Sequence, residues 1–130
     1  MDKLRAAGDP AARPAVLCLR QRDEMEIGQL LTVLRSPIYY CANGREAVAI
    51  ARDGALSCVI TPLRLPDGGA AKLIRQLQRV APGLAVIVVV KSPDISVAVE
   101  VMRRGAYAVI DSRTLNSGLL HHVAPLVLER

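Results

Sequence analysis

The stretch CVITPLRLPDGGAAKLIRQLQRVAPGLAVIVVV, from Cys58 to Val90, decides the fold of this 130-residue chain. It begins with a short apolar run, continues through a segment with helical spacing, and ends in the longest apolar run of the sequence, Leu84 to Val90. Pro and Gly residues separate the three parts, as is typical of the ends of strands and helices. Two short β-branched runs on either side of a helix predict parallel strands joined by a crossover helix.

The same alternation extends through the rest of the sequence. Short apolar runs bounded by Gly, Pro or charged residues predict five strands, at Ala15 to Leu19, Pro37 to Ala42, Leu56 to Ile60, Leu84 to Val90 and Ala106 to Ile110. Helical periodicity predicts five helices, at Asp23 to Leu34, Arg45 to Arg52, Ala70 to Val80, Ile95 to Arg104 and Leu115 to Leu128. Strict alternation of strand and helix predicts a doubly wound α/β fold with a five-stranded parallel sheet. Five strands suit the flavodoxin-like order 2-1-3-4-5, in which the functional crevice lies at the carboxyl ends of the strands.

The predicted helices carry apolar stripes that would face the sheet. In the fourth helix the stripe consists of Val97, Val101 and Met102, and the helix is expected to begin at a capping Asp94 and to end at Gly105. The opposite side of the third helix is interpreted as a solvated surface made of Lys72, Arg75, Gln76 and Arg79.

Composition limits the class of protein. Hydrophobic residues make up 52% of the chain, yet Phe and Trp are absent, so the core must be aliphatic, as suits a parallel sheet covered on both faces. The net charge of +5 is spread along the sequence rather than clustered, which favours a solvated basic surface over direct nucleic-acid binding. Three widely spaced Cys residues favour reduced thiols over a disulfide or metal site. No signal peptide or membrane span is recognisable, and a cytoplasmic protein is expected.

The chain is long enough for one sizeable core and too short for two. Residues 1–14, with their Gly, Pro, Ala and charged side chains, are expected to form a flexible leader. A single domain is therefore predicted over residues 15–130.

Three stretches resemble the receiver domain of two-component response regulators, in the form attached to bacterial transcription activators. They are ANGREAVAIAR (Ala42 to Arg52), the opening stretch (Cys58 to Val90) and SVAVEVMRRGAYAVID (Ser96 to Asp111). The likeness is carried by the third strand followed by Leu-Arg-Leu-Pro, by the Gly-Ala-Tyr start of the fifth strand, and by the interval between them. The resemblance implies a CheY-like, flavodoxin-like receiver fold over about the whole region after the leader.

The resemblance also implies which positions would carry phosphoryl transfer. A working receiver has an acidic pair after the first strand, an acceptor Asp ending the third, a Thr or Ser ending the fourth and a Lys ending the fifth. The carboxylates bind a divalent cation, the Asp is the nucleophile, and the Lys helps to neutralise the transferring phosphoryl group. The corresponding positions of this sequence hold Arg20, Gln21, Pro62, Val90 and Ser112. We therefore expect a degenerate pseudo-receiver that has no catalytic residue, metal or cofactor and is not an enzyme.

The emptied crevice is expected to be basic instead of acidic. Its candidate anion-binding residues are Arg20, Arg22, Arg64 and Lys91. One hypothesis is that they bind a nucleotide or another phosphorylated metabolite. The alternatives are that they reach solvent, that they pair with nearby carboxylates such as Asp67 or Asp111, or that an Arg fills the site and holds one conformation.

In the family, the surface formed by the fourth helix, fifth strand and fifth helix commonly mediates pairing. The residues on or near it here are Met102, Arg103, Tyr107, Asp111 and Arg113. The favoured function is a phosphorylation-independent module for regulatory protein–protein interaction or homodimerisation in bacterial signalling and transcription control. Its partner would be another protein or an attached ATPase or DNA-binding output domain. The alternatives are a sensor of an anionic ligand and a conventional regulator with an unrecognised acceptor. The sequence does not identify the partner or say whether the chain is a fragment.

Overall fold

The computed structural model describes residues 15–17, 38–53, 56–91 and 95–128. Seven strands lie in these ranges: β1 (Ala15–Leu17), β2 (Ile38–Tyr40), β3 (Cys58–Pro62), β4 (Arg64–Leu65), β5 (Gly68–Gly69), β6 (Ala85–Val90) and β7 (Ala108–Asp111). The described helices are α1 (Gly44–Arg52), α2 (Ala70–Val80), α3 (Ile95–Arg103) and α4 (Leu115–Leu128), and a 3₁₀ turn (Ser112–Thr114) precedes α4. The predicted leader and the helix predicted at residues 23–34 lie outside the described residues.

Five of the strands form one parallel sheet in the order β2-β1-β3-β6-β7. The predicted α/β class with a parallel sheet is confirmed. Without the short antiparallel hairpin formed by β4 and β5, the strand order reads 2-1-3-4-5. Periodicity did not predict this hairpin, because two strands of two residues each are too short to show any alternation.

The sheet separates two aliphatic cores. On one face Ile60, Ile87 and Ile110 form a buried cluster with Val123 of α4. On the other face Val59 and Val88 belong to a larger cluster that includes side chains of α1, α2 and α3. Successive strand residues point to opposite faces, and both faces of the sheet are covered here. The residues of β3 and β6 are therefore buried on both sides, and their sequences are nearly continuous apolar runs.

The structure differs from the predictions at the end of β3 and in the burial of Met102. Strand β3 continues to Pro62, two residues beyond the predicted end at Ile60, because pairing with β6 extends to Pro62 opposite Val89. Met102 was predicted in the buried stripe of α3, but 46% of its surface is exposed, whereas Val101 is buried. The stripe that faces the sheet is therefore narrower than the sequence indicated.

Glycines mark two sites of close approach or special backbone. Gly105 follows α3 with a φ of +112°, the left-handed conformation expected at a helix end. Gly118 lies in α4 where a Cβ atom would be 2.7 Å from Cγ2 of Ile110, so the missing side chain lets α4 approach β7 closely. No helix in the described part of the chain is long and apolar enough to cross a membrane.

Candidate functional site

Three of the residues predicted to occupy phosphorylation-site positions lie at one edge of the sheet. Pro62 ends β3, Val90 ends β6, and Ser112 follows β7. The strand registers place Pro62 beside Val89 and Val90 beside Asp111, so the three positions lie at the carboxyl ends of neighbouring strands. Arg20 and Gln21, the other two residues predicted for this site, lie outside the described residues.

The floor of this edge is apolar and closed. Pro62 is buried, and Val90 exposes 4% of its surface. The hydroxyl of the fully buried Thr61 donates a hydrogen bond to the Pro62 carbonyl oxygen at 3.0 Å, which satisfies the polar group within its own strand. A proline ring and a valine offer neither a nucleophile nor an oxygen ligand for a cation.

A carboxylate lies at the rim of this edge, but an arginine engages it. Arg113 Nη2 lies 2.6 Å from Asp111 Oδ2, and Arg113 also donates from Nε and from its backbone nitrogen to the same carboxylate. The side-chain hydrogen bond from Arg113 is the largest of the effects that lower the pKa of Asp111. Asp111 and Arg113, both predicted interface residues, are thus joined to each other.

The two described candidate anion-binding residues extend into solvent. Arg64 lies on β4 and Lys91 directly follows β6, and both are exposed. Within the ranges that the structure covers, neither side chain forms an ion pair, so pairing with Asp67 or Asp111 is not seen. Arg22, like Arg20, lies outside those ranges. Among the described residues, no group of three or more His, Cys, Asp or Glu side chains could hold a metal ion.

Asp67 has a role that sequence reasoning missed. Its carboxylate accepts hydrogen bonds from the backbone nitrogens of Gly44 at 2.9 Å and Arg45 at 3.0 Å, at the start of α1. The bond from Gly44 is the main cause of the lowered pKa of Asp67. Asn43 caps the same helix through Glu46 N at 2.9 Å. Asp67 was considered as a carboxylate that could pair with the basic crevice residues, and a contact across 23 positions leaves no local sequence signal.

Four large exposed apolar side chains lie on α3 and immediately before β7. Ile95, Val99 and Met102 are spaced at i, i+4 and i+7 and expose 82%, 47% and 46% of their surfaces, and Tyr107 exposes 46%. We call these four residues the α3 stripe. Met102 and Tyr107 were predicted interface residues, and Arg103 beside them is also exposed. Ile95 and Val99 were missed, although their spacing is visible in the sequence.

Comparisons with known proteins place the fold among receiver domains. No protein-family model matches the sequence. A response regulator receiver protein from Anaeromyxobacter is 40% identical over 47 residues, which are 36% of this chain and 20% of that protein. The chain thus matches only about a fifth of that curated relative's length.

Solved structures are similar over much more of the chain. NtrX from Brucella abortus matches 88% of this chain and 26% of its own, with a TM-score of 0.77 and 19% identity. A second match is the receiver domain of a sensor histidine kinase from Pseudomonas aeruginosa, which has a magnesium ion in its active-site cleft. The match covers 87% of this chain and 94% of that domain, with a TM-score of 0.74 and 15% identity. The match to a CheY-like receiver domain protein from Methanospirillum hungatei covers 85% of this chain and 89% of that protein, with a TM-score of 0.73 and 19% identity. This chain therefore has the receiver-domain fold of response regulators.

Proposed function

We propose, from its receiver-domain fold, that this chain is a phosphorylation-independent pseudo-receiver that regulates by binding protein partners or a second copy of itself. The domain would span residues 15–130 after a leader and act in bacterial signal transduction and transcription control. An attached or separate output module, such as an ATPase or a DNA-binding domain, would receive its signal. The domain would catalyse no reaction itself.

The side chains at the ends of the strands support independence from phosphorylation. Aspartyl phosphorylation needs a carboxylate nucleophile and a divalent cation held by oxygen ligands. Pro62 and Val90 provide neither, and Asp111 is engaged by Arg113. All the positions predicted for phosphoryl transfer are replaced, whereas the apolar residues of the sheet and helices are retained. This combination favours a domain that keeps the receiver fold but is not phosphorylated.

The single observation that supports an interaction role is the α3 stripe. Large apolar side chains exposed together on one helix face are typical of surfaces that another protein covers. The neighbouring Tyr107 ring contacts His122 of α4 edge to face, with ring centroids 6.2 Å apart. An aromatic side chain held against a neighbouring helix provides a rigid anchor for a partner.

The phosphorylation claim is tested by intact mass and thermal unfolding with magnesium and acetyl phosphate, with a receiver that has the full acidic site as positive control. We expect no gain of a phosphoryl group and no change in melting temperature. A magnesium-dependent mass increase would return this domain to the ordinary phosphorylated regulators.

The interaction claim is tested by sedimentation velocity over a concentration series. We expect the unaltered chain to self-associate and Met102→Glu to raise the dissociation constant by at least about tenfold, because a carboxylate would be buried against an apolar surface. Arg75→Glu is the control, since it places the same carboxylate on an exposed position of α2. A chain that stays monomeric throughout, or an equal effect of both variants, would remove the α3 stripe as a dimer interface.

A second candidate function rests on Arg64 and Lys91, which are exposed at the carboxyl edge without an ion pair in the described ranges. A sensor of this kind would be stabilised by an anionic ligand that binds the folded state. A thermal-shift screen with nucleotides and sugar phosphates tests it. A shift that disappears in Arg64→Ala/Lys91→Ala supports the sensor, and no shift with any compound argues against it.

A further inference from the structure

A basic groove runs between α1 and α2, away from the strand ends. The two helices pack side by side and leave an open groove of about 440 Å³ between their outer faces. Its rim carries four cations, and part of its wall is apolar. The rim residues are Arg45, Arg52, Lys72 and Arg79, and the apolar residues include Val48 and Val80. We call this set the α1–α2 groove.

Helical spacing places the cations in two facing pairs. Arg45 and Arg52 are seven residues apart on α1, and Lys72 and Arg79 are seven residues apart on α2. Seven residues make about two helical turns, so the members of each pair are roughly 10 Å apart along their helix. The groove is therefore positive along its length rather than at one point.

The groove has little negative charge of its own. Asp67 is the one carboxylate in its lining, and it already accepts hydrogen bonds from the backbone of α1. Lys72 Nζ donates to the Asp67 carbonyl oxygen at 3.1 Å, which orients one rim cation. Within the described residues, Arg45, Arg52 and Arg79 form no ion pair. The four cations repel one another, and the carboxylate of Asp67 offsets only part of their charge. A negatively charged occupant would reduce this repulsion.

We propose that the α1–α2 groove binds a short acidic amphipathic helix of a partner protein. Its apolar residues would contact Val48 and Val80, and carboxylates two turns apart would reach the arginines at each end. A small phosphate compound would contact only one end of a rim that extends about 10 Å. A single-stranded nucleic acid would gain little, because no aromatic side chain lines the groove to stack on a base.

This surface is separate from the α3 stripe and does not depend on the proposed self-association. The α3 stripe is apolar and lies on α3 and at Tyr107 before β7, whereas the groove lies between α1 and α2 and would select its partner by charge. Loss of one interaction therefore leaves the other measurable.

The test uses the full chain and a panel of fluorescein-labelled helical peptides with Leu at positions i and i+4. The peptides carry zero, two or four Glu residues, and in those that carry Glu, two Glu residues are seven positions apart. Fluorescence anisotropy measures the dissociation constant. We expect affinity to rise with the number of Glu residues and Arg52→Ala/Arg79→Ala to weaken the best peptide at least about fivefold. Arg75→Ala is the matched control, because Arg75 is an exposed cation on α2 outside the groove. Its effect should stay below about twofold.

Three results would overturn the proposal. The first is that no peptide in the panel binds saturably. The second is that Arg75→Ala weakens binding as much as Arg52→Ala/Arg79→Ala, which would mean that the net charge of the chain, and not the groove, attracts the peptide. The third is that a single-stranded oligonucleotide competes at lower concentration than the acidic peptide, which would assign the groove to nucleic acid. Circular dichroism melting of each variant verifies that it is folded.

Discussion

Cys58 illustrates how a single buried residue links the core to pH. The thiol belongs to the first residue of β3 and has no exposed surface, and burial raises its pKa from 9.0 to about 12. The unfolded chain releases this proton near pH 9, whereas the folded chain retains it. Between pH 9 and pH 12 the folded state therefore binds more protons, and the free energy of unfolding falls as the pH rises.

We expect Cys58→Ala to remove this alkaline loss of stability. Urea unfolding of both proteins at pH 7.5 and pH 10 measures it, and the unaltered chain should lose about 1 kcal/mol more than the variant over this interval. Cys41→Ala is a control for loss of a buried thiol on the opposite face of the sheet. Parallel pH profiles for Cys58→Ala and the unaltered chain would contradict the prediction.

Asp67 affects stability with the opposite sign. Its pKa is lowered in the folded state by hydrogen bonds from the start of α1, so its stabilising effect is present above the unfolded pKa and disappears as the pH falls through the folded pKa. We expect Asp67→Ala to cost about 1 kcal/mol at pH 7, as loss of a helix cap does. The difference from the unaltered chain should shrink below about pH 4.

Asp53→Ala is the control for this measurement. Asp53 follows the end of α1, where a carboxylate accepts no bond from the free amides of the helix start. Chemical unfolding at pH 7 and pH 3 gives the comparison. If Asp67→Ala costs no more than Asp53→Ala, the bonds to Gly44 and Arg45 do not stabilise α1.

At the level of elements, the contact between α4 and β7 depends on a missing side chain. Gly118 leaves room for Ile110, and a methyl group there would require one element to move. We expect Gly118→Ala to destabilise the fold by about 1 kcal/mol, because overpacking outweighs the gain in helix propensity. Gly44→Ala is the matched control, since a Cβ there meets its neighbours at an ordinary 3.4 Å. A more stable Gly118→Ala protein would mean that α4 shifts at little cost.

The order of elements could be predicted because its signals are local. Alternating apolar runs and helical periodicity located α2 at its observed bounds and β6 to within one residue. The β4–β5 hairpin could not be predicted, because strands of two residues are too short to show alternation. The hydrogen bonds that Asp67 accepts from α1 could not be predicted, because they join segments that are distant in the sequence. Met102 was assigned to the buried side, since spacing alone does not say how wide a stripe the sheet covers.

For the molecule as a whole, the sequence located the ends of the strands better than the surfaces that the helices form together. Pro62 and Val90 were located by register to the carboxyl edge, where the structure has them. The α1–α2 groove was interpreted as a solvated surface, because the basic residues of the two helices are far apart in the sequence. Only the adjacency of the folded helices brings Arg52 and Arg79 into one lining.

The two proposed surfaces should act independently. We expect Met102→Glu to weaken self-association without changing the affinity for the acidic peptide, and Arg52→Ala/Arg79→Ala to do the reverse. Distant sites without shared partners are additive to within about 0.5 kcal/mol. Anisotropy and sedimentation on both variants and on their combination measure this. A combined effect well above the sum would show that the surfaces communicate.

The buried Pro62 at the end of β3 has a consequence for timing. In a phosphorylated regulator the lifetime of the acyl phosphate sets the duration of the signal, because the signal ends when the acyl phosphate hydrolyses. Under the proposed function, a domain with a proline ring at that position has no acyl phosphate whose lifetime could limit the signal. Its signal would last as long as a partner remains bound, so the dissociation rate and the cellular concentration of that partner would determine both the strength and the duration of the response.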